Sequence, residues 1–81
     1  MNNEHSIRNH KMPHYEIILY WSADDNAYIA EVPELPGCIA NGTSYAEALH
    51  NAEIVIQEWL KTAQALGRTI PEAKGRRLMY A

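Results

Sequence analysis

A chain of 81 residues with one cysteine makes one domain at most, buries a modest core and has no internal disulfide framework. Its longest apolar run is far below the roughly 20 residues that span a bilayer and its N-terminus lacks the apolar core of a signal peptide, so a soluble, cytoplasmic domain is expected. The net charge of −3 is unevenly spread: residues 12–60 carry eight acids and no Lys or Arg, and residues 61–81 carry five bases against Glu72, a pattern that repels nucleic-acid phosphates and favours a basic partner, or serves solubility alone.

Residues 1–13 are polar and aperiodic and read as a disordered arm ahead of a single domain over 14–81. Its histidines and the next one, His5, His10 and His14, have neither the i, i+4 spacing of a helical pair nor a compact zinc motif, so no metal site is expected. Tyr15 to Trp21 is a β-branched and aromatic run, Asp24-Asp25-Asn26 is a turn cluster, and residues 27–32 return. A turn centred on Asp24-Asp25 makes opposed residue numbers sum to 49, pairing Trp21 with Tyr28, Leu19 with Ala30 and Ile17 with Val32. That alternation leaves Ile18, Tyr20 and Ile29 on the other face, edged by Glu16 and Glu31.

Val32-Pro33-Glu34-Leu35-Pro36-Gly37-Cys38 then forms a corner. Neither proline has an amide donor for a central ladder, and Gly37 is suited to positive φ. Cys38-Ile39-Ala40 reads as a short third strand ended by Gly42. Ser44 with Glu47 three residues on is a capping box, and Gly67 sits where a helix stops, which predicts a helix from Tyr45 to Leu66. Tyr45, Ala48, Leu49, Ala52, Val55, Ile56, Trp59, Leu60 and Ala63 form its apolar stripe, with Trp59 expected against Leu19 and Trp21. Ile54 falls on the polar side. Ile70-Pro71 marks an extended turn, and Arg76 to Tyr80 is a candidate fourth strand or a frayed tail. The expected fold is α+β: a three-stranded antiparallel sheet with one long helix on one face.

The ordered series Tyr15 to Trp21, Asp24-Asp25, Tyr28-Ile29-Ala30, Pro33 to Cys38, Gly42 to Leu49 and Ile70-Pro71 resembles the HicB-like antitoxins, over roughly residues 14 to 72. The resemblance implies a reduced RNase H-like or double-stranded-RNA-binding-domain-like fold. It also implies a protein partner, a small basic RNA-cleaving toxin of the HicA type. Many such antitoxins carry a C-terminal helix-turn-helix or ribbon-helix-helix domain. Only about ten residues follow Pro71, too few for either, so direct DNA binding by this chain is not expected, and Lys74, Arg76 and Arg77 read as a solvated cluster.

Catalysis is not expected. Two-metal hydrolysis needs several converging carboxylates, and the centre of the first strand is Ile17, Ile18 and Leu19. Asp24 and Asp25 are ordinary turn formers. Cys38 has no nearby His in this topology, and the segment Gly37 to Gly42 lacks the Lys-Ser/Thr of a phosphate loop. A non-enzymatic, cofactor-free antitoxin is the leading expectation and a self-associating scaffold the alternative. The candidate self-association residues are Ile18, Tyr20 and Ile29, in a homodimer or homotetramer; the candidate toxin-facing residues are Glu16, Glu31 and Glu34.

Overall fold

The computed structural model describes residues 14–73; the expected N-terminal arm and the candidate fourth strand lie outside the described residues. Three strands, β1 (Ile18–Ser22), β2 (Ala27–Glu31) and β3 (Ile39–Gly42), precede one helix, α1 (Tyr45–Ala65). The strands form an antiparallel sheet in the order β1-β2-β3.

The β1–β2 register is the one the turn chemistry predicts: Leu19 faces Ala30, Tyr20 faces Ile29 and Trp21 faces Tyr28. The turn is fixed by its own polar groups. The Asp25 amide donates to Ser22 Oγ at 3.2 Å, and Ser22 Oγ lies 2.9 Å from Asp25 Oδ2. Asn26 closes the turn at φ 51°, in the left-handed region that Asn tolerates better than most residues.

The helix start is capped as the sequence suggests, with one displacement. Ser44 Oγ accepts from the Glu47 amide at 3.0 Å. The Glu47 carboxylate reaches past the cap residue to Thr43, accepting from its amide and, at 2.8 Å, from its hydroxyl. These bonds, the amide first, hold the Glu47 carboxyl below its ordinary value. At the other end Gly67 takes φ 71°. Its amide donates to Gln64 O, and the Arg68 amide to Ala63 O at 2.8 Å, the paired bonds of a Schellman stop. Helix formation ends at Ala65, one residue before the predicted limit.

The helix packs on one sheet face in two zones. Small residues meet small residues in the first: Ala48 and Ala52 lie on Ala30, flanked by Ile17, Leu19, Tyr28 and Ala40. Ile56 meets Val32, Leu35 and Cys38 in the second, with Tyr15, Ile17, Val55, Trp59 and Leu60 packed around them. Helix and sheet are also tied by the Asn51 side-chain amide, which donates to Asn41 O at 2.8 Å. The Tyr15 hydroxyl donates to Pro71 O, holding the segment after the helix against the residues that lead into β1.

Two expectations are corrected here. Trp59 does not pack on Trp21. The helix lies mainly over β3, less over β2 and least over β1, so Trp21 on β1 is left 48% exposed. Trp21 instead meets Tyr28 edge-on at 4.9 Å, and Tyr28 meets Tyr45 at 4.4 Å. Trp59 belongs to the corner cluster, where its indole N–H donates to Pro36 O at 2.9 Å. The second correction concerns Ile29, expected as part of an exposed apolar patch. It is on the expected face but only 5% exposed. It sits on the central strand, with Tyr20 opposite it on one side and Asn41 on the other, a position less open to solvent than an edge one.

Candidate functional site

The face of the sheet turned away from the helix holds two cross-strand rows. One is Ile18, Glu31 and Ile39; the other is Tyr20, Ile29 and Asn41. Ile18 and Ile39 are 44% and 51% exposed, and Tyr20 is exposed beside them. Ile39 is the contributor that sequence reasoning missed. Its alternation was readable, but only the β2–β3 register of Glu31 with Ile39 puts it on the same row as Ile18.

Glu31 therefore stands between two exposed isoleucines. The Tyr20 hydroxyl donates to Glu31 Oε2 at 2.7 Å. That bond, with some desolvation, raises the Tyr20 pKa above its ordinary value, so the phenol remains a donor over the physiological range. A hydrogen bond of this kind orients a carboxylate that is otherwise free to rotate among rotamers.

The corner begins where β2 ends. Its backbone is closed on itself: the Val32 amide donates to Cys38 O, the Leu35 amide to Val32 O and the Cys38 amide to Leu35 O, at 2.9 to 3.0 Å. Gly37 provides the required reversal at φ 78°. Leu35 is 1% exposed and points into the core. Cys38 is buried, and burial pushes its thiol pKa up. A shallow depression opens on this corner, lined by Glu31, Val32, Pro33, Leu35, Pro36, Gly37, Cys38 and Ile39.

The other two acids expected on the partner-facing side are brought together. The Glu16 amide donates to Glu34 Oε1 at 3.0 Å, linking the corner to the residues that lead into β1. Burial, and then the charge of Glu34, raise the Tyr15 pKa. Glu34 thus accepts a backbone amide, whereas Glu31 accepts a side-chain hydroxyl. Among the described residues no group of three or more His, Cys, Asp or Glu side chains is arranged to hold a metal ion, and no helix is long and apolar enough to cross a membrane.

Comparison with known proteins finds relatives over much of the chain. The chain is 39% identical over 57 residues to a UPF0150 protein of Synechocystis, covering 70% of this chain and 77% of that one. It is 45% identical over 42 residues to a UPF0150 protein of Helicobacter pylori, covering 52% of this chain and 58% of the relative. No solved structure matches it significantly. Residues 15–78, most of the chain and all three strands and the helix, match the model of the HicB-like antitoxin of bacterial toxin-antitoxin systems, and the chain belongs to that family.

Proposed function

We propose that the chain neutralises a small basic RNase of the HicA type in the cytoplasm by binding it directly, without catalysis, cofactor or contact with DNA. The observation that carries this reading is the row Ile18–Glu31–Ile39 on the exposed sheet face. An oriented carboxylate flanked by apolar side chains suits a protein surface that is basic and partly apolar. The acidic body around it, with no Lys or Arg from residue 12 to 60, disfavours RNA itself. Glu16 and Glu34 extend the acidic field, which speeds and orients the encounter more than it adds affinity.

The test is association kinetics with the product of an adjacent short basic reading frame, held as a cleavage-inactive variant. The association rate is expected to fall about tenfold or more between 50 and 500 mM salt. Glu31→Lys should slow association at low salt and leave the circular dichroism spectrum unchanged. Glu34 is the wrong residue to reverse, because its Oε1 accepts the Glu16 amide. Equal rates at both salt concentrations would count against an electrostatic interface.

The same exposed face supports a second reading, a self-associating scaffold built on Ile18 and Tyr20 over a floor of Ile29, with Ile39 joining them. Burying the isoleucines between copies would contribute roughly 1.5–3 kcal/mol each before the costs of association. A two-fold contact brings the same patch of each copy together, and with it two Glu31 carboxylates. Glu31→Gln is therefore expected to strengthen a homodimer or homotetramer. Light scattering at micromolar concentration that finds only the 9.2 kDa chain, for parent and variant alike, removes this reading.

A further inference from the structure

Resting on the toxin-binding reading, we infer that the depression at the corner is the subsite for one arginine side chain of the partner. Among the described residues that line it, Glu31 is the one that carries a charge. Pro33, Pro36 and Ile39 offer apolar surface beside that charge. An arginine presents the matching chemistry in one side chain, an alkyl stem for apolar surface and a planar guanidinium for a carboxylate. Lysine matches less well, because its ammonium is a compact and strongly hydrated point charge.

Two features make the subsite ready-made. The three backbone bonds from Val32 to Cys38 and the indole bond to Pro36 O hold the corner in one shape, so little ordering is required on binding. The Tyr20 hydroxyl engages Glu31 Oε2, and Oε1 makes no hydrogen bond among the described residues. The guanidinium therefore finds an acceptor that is already oriented.

The probe is the tripeptide acetyl-Leu-Arg-Leu-amide, titrated into the 15N-labelled full chain, with the neutral citrulline peptide as its isostere. Amide shifts are expected at Glu31, Gly37, Cys38 and Ile39, saturating at millimolar peptide. The citrulline peptide, and the arginine peptide on Glu31→Gln, should each bind about fivefold more weakly; the thermal midpoint of the variant checks that it remains folded. Shifts confined to other residues, or equal affinity for the two peptides, would overturn the subsite. The inactive toxin candidate is measured in parallel. If it binds and Glu31→Gln leaves its affinity unchanged, the subsite is wrong and the antitoxin reading stands. If it does not bind while the arginine peptide takes the corner, the subsite stands and the toxin reading falls.

Discussion

Leu35→Ala is expected to leave most of the chain unfolded at 37 °C. Leu35 is one of the most completely buried large side chains, and it lies between Val32, Cys38 and Ile56. Truncating such a leucine costs about 2–5 kcal/mol, because the transfer term and the cavity act together. A folded unit of about 60 residues has a total stability of roughly 3–9 kcal/mol. The loss therefore takes a large share of it. The loop cannot easily relax into the gap, since its backbone bonds and two prolines fix its path. Thermal unfolding followed by circular dichroism gives the answer. Leu35→Met, which conserves volume, is the control and should cost less than about 1.5 kcal/mol. A midpoint for Leu35→Ala within a few degrees of the parent would show that the corner is not part of the cooperative core.

Gly42→Ala is expected to be nearly as damaging, through the opposite defect. A Cβ at Gly42 would stand 2.6 Å from the Ala48 amide nitrogen and 2.9 Å from Glu47 C. Those are mostly backbone atoms of the first helical turn, so no side chain can swing away. Overpacking of this kind costs about 1–3 kcal/mol, occasionally more, and here it acts on the helix start. Gly37→Ala is the informative comparison. Its Cβ would meet nothing within 4 Å among the described residues, and the cost, about 1–2 kcal/mol, comes from φ 78°. The two variants should differ in remedy. Gly37→Asn should recover much of the loss, because Asn tolerates the left-handed region, and Gly42→Asn should recover none. Equal recovery at both positions in chemical denaturation would contradict the close contact at Gly42.

Much of this architecture is legible from local chemistry. The β1–β2 register follows from turn formers at Asp24, Asp25 and Asn26, because a turn centre and a two-residue alternation together determine every facing pair. The helix limits follow from Ser44 and Gly67 for the same reason, since caps act within a few residues. What local chemistry does not carry is the placement of one element over another. Periodicity puts Trp59 on the buried stripe of the helix, yet the stripe says nothing about which strand lies beneath it. The many alanines bring helix and sheet close over β2 and β3, and the far end of the helix then reaches the corner rather than Trp21. Exposure has the same limit. Ile29 occupies the predicted face, but it is buried there, on the central strand with a partner strand on each side. Glu31 illustrates both sides of this. Its face could be read from alternation, whereas its place between Ile18 and Ile39 depends on a third strand whose register no turn signal announces.

The burial of Cys38 has a practical bearing on the assembly question. Thiol oxidation proceeds through an accessible thiolate, and in the folded chain this sulfur is both covered and harder to deprotonate than usual. Since the chain has no other cysteine, air-exposed folded samples should not form disulfide-linked pairs. A species of twice the chain mass in buffer without reductant is then held by surface contacts alone, and a covalent band on a non-reducing gel instead marks material that has opened at the corner.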